Sequence, residues 1–207
     1  RVDAWLHAGQ SSRALWSLEL LARLEAPHPA WPRLQARAHL ARGESALGRE
    51  ILRKALERWP GNPELEEDLG RLTCQEALAR WQAVPSEEAL DRLAAGAGLG
   101  RRLFTGERLD PLLSQVDTVL RNQALAALEE ADRTREQGEW TRAAELYERG
   151  SRLLPPGVEP EFRFQARRLR ALCWRGLGQP LRALEELELL DAEARHAGIP
   201  FPGAVSA

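Results

Sequence analysis

Gly138-Glu139-Trp140-Thr141-Arg142-Ala143-Ala144-Glu145-Leu146-Tyr147, followed by a proline at Pro155, carries the pattern from which the architecture can be read. It sets a turn glycine, a small residue, a large apolar residue and a terminal proline in that order. The order returns in Gly178-Gln179-Pro180-Leu181-Arg182-Ala183-Leu184, and in the N-terminal half Gly9 and Gly43 stand 34 residues apart. Aligning on those two glycines superposes Ala14 on Gly48, Leu18 on Leu52, Leu21 on Ala55 and Ala26 on Pro60, and a further step of 34 carries Ala36 onto Gly70. Each residue type has a physical reason: glycine relaxes the turn, the small residue lets two helices touch, and proline ends the second helix. Helix pairs of this size cannot bury their apolar faces alone, so a periodic chain of them must stack.

The rest of the chain agrees with an all-helical reading. Isoleucine is nearly absent, β-branched residues are few, and Leu, Ala, Glu and Arg dominate, as in helices. Apolar residues recur at helical spacing in Leu15, Leu18 and Ala22, in Leu52, Leu56 and Trp59, in Leu125, Leu128 and Ala131, and in Phe162, Ala166, Leu169 and Cys173. Prolines at Pro27–Pro29, Pro60–Pro63, Pro85 and Pro155–Pro160 punctuate them. The pattern predicts short antiparallel helices and no sheet.

These residues resemble the tetratricopeptide repeat family, a helix–turn–helix unit of about 34 residues. The likeness is carried most specifically by Trp140 to Pro155 and also by the surroundings of Gly9 and Gly43. It implies an all-α fold: an α-solenoid of antiparallel helix pairs, about four to five units in a right-handed superhelix. There are departures. The first repeat lacks most of its leading helix, Gly138 to Gly178 spans 40 residues with Pro155-Pro156-Gly157 absorbing the excess, and the pattern fails between Pro85 and Asp110. Leu93 to Pro111, with Gly96, Gly98, Gly100 and Gly106 among Arg101, Arg102 and Arg108, reads as a loop or kinked connector, after which Asp110-Pro111 restarts a helix by N-cap and first-turn proline. The expected organisation is helix pairs over 1–95, an irregular connector over 96–109, helix pairs over 110–197 and a tail over 198–207, with the halves not independent domains.

Composition excludes several classes. The chain has 207 residues, 43% of them apolar, enough for a core, and 29 basic against 31 acidic side chains give a net charge of −2. That balance argues against a nucleic-acid or membrane-surface protein. No run approaches the roughly 18 apolar residues of a membrane span. No signal-peptide pattern opens at Arg1, which favours a cytoplasmic location and leaves a periplasmic one open if a leader has been removed. Absence of methionine, even at the first position, implies a processed or excised piece of a longer product. Cys74 and Cys173 cannot make a disulfide framework.

Enzymatic chemistry finds little support. Gly96-x-Gly98-x-Gly100 beside Arg101 and Arg102 has the look of an anion cradle, but no strand precedes it and the P-loop lysine and Ser/Thr are missing. His7, His28, His39 and His196 lack metal-ligand spacing, so no metal and no cofactor are expected. Cys173 continues an apolar stripe and reads as core, and no nucleophile–base pair suggests itself. The acidic clusters Glu66, Glu67, Asp68 and Glu129, Glu130, Asp132 read as solvated faces or helix starts. Among seven tryptophans, Trp140 and Trp174 match repeat aromatic positions and Trp59 covers a helix end. Trp5, Trp16, Trp31 and Trp81 have no such assignment, with core favoured and an exposed one a binding anchor.

Function is therefore expected to be recognition without catalysis: a protein–protein interaction scaffold holding a partner peptide or helix in a concave groove. The alternative is a regulatory sensor domain of a larger signalling or transcription protein. In a tetratricopeptide stack the first helix of each pair lines the groove, and the resemblance places Arg33, Arg37, Arg71, Arg135, Arg168, Leu172 and Arg175 there. Guanidinium groups in a groove suit carboxylates of an acidic partner. Glu64, Glu67 and Asp132 fall on the same surface, so a merely solvated face is the competing reading.

Overall fold

The turn glycines close their helices in one way in the computed structural model, which describes residues 2–24, 27–103, 111–156, 158 and 160–197. Gly9, Gly43, Gly138 and Gly178 all have left-handed backbone, at φ +72°, +79°, +81° and +71°. At Gly43 the glycine N–H donates to the Leu40 carbonyl and the next N–H, of Glu44, donates back to His39, both at 2.9 Å. The same two bonds recur at Gly9, Gly138 and Gly178. This is the Schellman closure, which satisfies helix-end carbonyls and needs a residue that enters the left-handed region without a Cβ penalty.

Ten helices and no strand occur among the described residues: α1 Val2–His7, α2 Ser11–Leu24, α3 Ala30–Ala41, α4 Ser45–Arg58, α5 Pro63–Ala83, α6 Glu87–Leu103, α7 Pro111–Glu136, α8 Trp140–Leu153, α9 Pro160–Gly176 and α10 Pro180–Ala197. The second helix of a pair starts two residues after its glycine in α2, α4, α8 and α10. Five residues after each glycine comes a buried small residue, Ala14, Gly48, Ala143 or Ala183. The period read in the sequence is thus a period of backbone and of packing, with α1 the short helix that precedes the first turn glycine.

The chain divides into two compact units, residues 1–116 and 117–207. In the first, Val2, Ala14, Leu18 and Ala38 form one buried cluster covered by Trp5, Leu6, Leu15, Leu21, Trp31 and Leu34. Ala36, Leu52, Ala55, Leu65 and Leu72 form the next, covered by Leu40, Leu56, Trp59 and Leu69. In the second unit Ala131, Ala143, Ala144, Tyr147 and Cys173 draw α7, α8 and α9 together. There Gly150 lets α8 approach α7 closely: a Cβ on it would come within 2.7 Å of Leu128 Cγ and 3.2 Å of the Ala124 carbonyl oxygen.

Four sequence expectations are corrected. Gly96 to Leu103 are not an irregular connector but the last turns of α6. Leu93 and Ala97 are fully buried there, and the bare Gly96 faces Thr73 and Ala77 of α5. Apolar burial across this pair of helices outweighs the roughly 0.5–1 kcal/mol that each helical glycine costs. The division between units falls later than the expected connector, inside α7. Phe162, expected on the apolar stripe of α9, is exposed, the buried part of the stripe beginning at Ala166, and Trp16 is 66% exposed rather than core. Ala26, residues 104–110, including the expected Asp110 cap, Gly106 and Arg108, and the tail 198–207 lie outside the described residues, as does the side chain of Ala22.

Candidate functional site

In the first unit the three arginines expected to line a groove are engaged by the carboxylates beside them. Arg33, from α3, donates Nε–H to Asp68 on α5 at 2.7 Å and also pairs with Glu64, while Arg37 lies 3.6 Å from the other Asp68 oxygen. Arg71 pairs with Glu67 one turn away at 2.8 Å. Burial works against the charge on Arg33, but Asp68 and Glu64 outweigh it and hold the guanidinium pKa above its ordinary value. This surface is a set of closed clasps, between α3 and α5 at Arg33 and Arg37 and within α5 at Arg71. Glu67 and Asp68, from the acidic cluster Glu66, Glu67, Asp68 read from sequence as a solvated face or helix start, supply the carboxylate in three of the four pairs.

The second unit differs. On α9, seventeen residues long, Arg163, Arg167 and Arg170 share a face and are consumed internally. Arg163 donates to the Leu154 carbonyl at 2.6 Å, Arg167 binds Glu186 and Glu193 of α10 at 3.3 and 2.5 Å, and Arg170 binds Glu186 as well as Glu148 of α8. About 140° round the helix, at 100° per residue, stand Arg168, Leu172 and Arg175. Arg168 and Leu172 are half-buried and Arg175 is exposed, and neither arginine has an ion-pair partner among the described residues. The three α9 residues expected in the groove thus stay together and open, while the arginines on the other side of the helix go to structure.

Beside this face lies a polar cluster that the sequence did not announce. Tyr147, fully buried on α8, donates its hydroxyl hydrogen to Asp132 of α7 and accepts one from Arg135 Nε at 3.1 Å. Arg135 also lies 3.8 Å from Asp132. Desolvation first, and then the bond to Asp132, push the Tyr147 pKa well up, while the hydroxyl bond of Tyr147 raises that of Arg135. Cys173, adjacent to Leu172, is raised chiefly by burial, with the charges of Arg135 and Asp132 acting on it in opposite senses. The predicted site residue Arg135 is thus near α9 but partly spent on holding Tyr147. The only sequence signals for this network were Arg135 and Asp132 at groove positions, with none for Tyr147 as their partner. For Glu186, which clamps two arginines, there was none beyond its place in an acidic helix.

The remaining candidates resolve structurally. Cys74 and Cys173 are buried free thiols, and Cys74 donates to the Gly96 carbonyl at 3.2 Å. His39 sits 2.7 Å from Glu44 and holds that half-buried residue's carboxyl below its usual range. Among the described residues no group of three His, Cys, Asp or Glu is arranged to hold a metal ion, and no helix is long and apolar enough to cross a membrane.

Stacked antiparallel helix pairs closed by a repeated glycine turn define an all-α helical-repeat fold of the tetratricopeptide-like kind. No family model matches the chain, and no curated protein matches it. Among solved structures, the crystal structure of Podosopora anserina putative kinesin light chain nearly identical TPR-like repeats is similar at 20% identity over 94% of this chain and 92% of that one, with a TM-score of 0.32. A second crystal structure, of a point variant of the same protein, has the same identity and TM-score over 95% of this chain and 92% of that one.

Proposed function

We propose that the protein is a non-catalytic interaction scaffold, and that the open face of α9 at Arg168, Leu172 and Arg175 receives an acidic or C-terminal carboxylate-bearing segment of a partner. The observation that carries this reading is the pairing state: two arginines flank an accessible leucine with no carboxylate of the described chain on either, whereas Arg33, Arg37 and Arg71 are already neutralised. Binding at the latter would first have to break a clasp. Binding at the former loses only water, and a guanidinium fork meets a carboxylate by two parallel hydrogen bonds.

Selection of acidic peptides against the immobilised chain, followed by titration of the best against Arg168→Ala,Arg175→Ala, tests the proposal. Charge-assisted bonds contribute about 1.5–3 kcal/mol when shielded. Loss of both arginines should weaken binding by about tenfold or more and flatten its salt dependence. Undiminished affinity in that variant would place recognition elsewhere.

A further inference from the structure

The open face of α9 extends beyond the three residues at its centre. Glu161, Gln165, Arg168, Leu172 and Arg175 follow one another at steps of four, three, four and three residues, which keeps all five within about 80° of one another round the helix. Glu161, Gln165 and Arg175 are exposed, Arg168 and Leu172 are half-buried, and none of the three charged groups has an ion-pair partner among the described residues. At 1.5 Å per residue the stripe runs about 21 Å along the axis. Alternating steps of four and three average 3.5 residues, the spacing at which one helix lies along another.

Charge and spacing along this stripe select the conformation of what covers it. Arg168 and Arg175 stand about 10.5 Å apart along the axis, with Leu172 about 6 Å from the first and about 4.5 Å from the second. A single carboxylate shared by both arginines would have to sit on the leucine, so each arginine takes a carboxylate of its own and the leucine takes an apolar side chain. An extended segment presents alternate residues on one face, about 6.7 Å apart, so three of them span about 13 Å and overshoot. A polyproline helix presents every third residue, about 9.3 Å apart, and leaves none for the leucine. An α-helix presents acidic, apolar and acidic residues at the spacings of α9 itself. A second copy of this chain does not fit: antiparallel pairing of two such stripes sets Arg168 on Arg168, and parallel pairing opposes both arginines to their own kind.

We infer that the segment received on this face is an amphipathic helix of a partner protein, lying antiparallel to α9. It carries Glu or Asp opposite Arg175, an apolar residue three positions on opposite Leu172, Glu or Asp four further opposite Arg168, and Lys or Arg seven beyond that opposite Glu161. This rests on the reading of the face as a receptor for an acidic segment, and narrows it. The direction follows from the helix dipole. Antiparallel packing sets the partner's acidic residues toward its own N-terminus and its basic residue toward its C-terminus, where each is favoured, and parallel packing would reverse both.

Fluorescence anisotropy of the full chain with a labelled helical peptide of about twenty residues, rich in alanine and glutamine and blocked at both ends, tests the inference. The peptide carries Glu, Leu, Glu and Lys at the spacing just given. Saturable binding is expected. It should weaken about tenfold when the second Glu is moved two residues toward the N-terminus, off the face, or when a proline breaks the middle of the peptide. The reversed sequence should bind a few-fold more weakly, and so should the designed peptide to Glu161→Lys. The peptide changes leave the protein untouched, so they decide the matter even if a substituted chain misfolds. Equal binding of the moved, proline-broken or reversed peptide overturns the helix; if binding is still lost in Arg168→Ala,Arg175→Ala, the reading of the face as an acidic-segment receptor stands. Binding that ignores both arginines overturns the two together. So does sedimentation of the chain as a dimer that the same double variant dissociates, which would assign the face to a second copy.

Discussion

Tyr147 shows how one side chain links core and surface. Its ring fills the joint between α7, α8 and α9 while its hydroxyl reaches Asp132 and Arg135 at the edge. Tyr147→Phe keeps the ring and strands no deeply buried partner, since both neighbours keep access to water. It should lower stability by about 1–2 kcal/mol in urea unfolding. It should also change the alkaline limb of the stability profile. Because the folded pKa lies above the unfolded value of about 10, the native state keeps a proton that the unfolded chain releases, so this contribution is intact below about pH 10 and falls as the pH rises beyond it. The variant should lose that part of the slope. An identical alkaline slope in both proteins would show that Tyr147 does not titrate differently on folding.

Among the helices, the glycines separate into kinds that sequence cannot tell apart. Gly98 and Gly150 are both interior to helices, α6 and α8. Around Gly98 nothing lies within 4 Å of an added Cβ, so Gly98→Ala should stabilise the protein by about 0.5–1 kcal/mol through helix propensity and backbone entropy alone. At Gly150 the same methyl would meet Leu128 and the Ala124 carbonyl. The cost of overpacking, about 1–3 kcal/mol, then exceeds the propensity gain. Opposite shifts of the denaturation midpoint are expected, and two shifts of the same sign would refute the packing account. The same distinction explains the misplaced connector. Gly96, Gly98 and Gly100 look like a loop because their spacing carries no record of what faces them, and what faces Gly96 is α5.

Across the chain as a whole, a net charge of −2 conceals an uneven use of arginine. Much of it stitches one helix pair to the next, as Arg33 does across 35 residues to Asp68, whose carboxylate side chain is only 11% exposed. Asp68→Asn should destabilise the chain by about 1–3 kcal/mol, since it leaves Arg33 half-buried without its counter-charge. Arg33→Met,Asp68→Leu should cost much less, because the charges it leaves without those partners, Glu64 and Arg37, are exposed to water and no half-buried one is orphaned. Comparison of the three midpoints decides the matter: a double variant as unstable as Asp68→Asn would mean that the pair itself, and not the penalty of an orphaned charge, holds the stack.

The helical class, the repeat register and the turn positions were all legible in the order of residues, because each follows from local chemistry. A left-handed turn wants glycine, a helix contact wants a small residue, and apolar spacing of three to four residues makes one face, none of which depends on distant parts of the chain. The same local spacing placed Arg168, Leu172 and Arg175 on one stripe of α9. Which arginines are spoken for emerged with packing alone. Whether a guanidinium is open depends on a carboxylate brought up from another helix, Asp68 for Arg33 and Glu186 for Arg167 and Arg170, or on a phenol such as Tyr147 for Arg135.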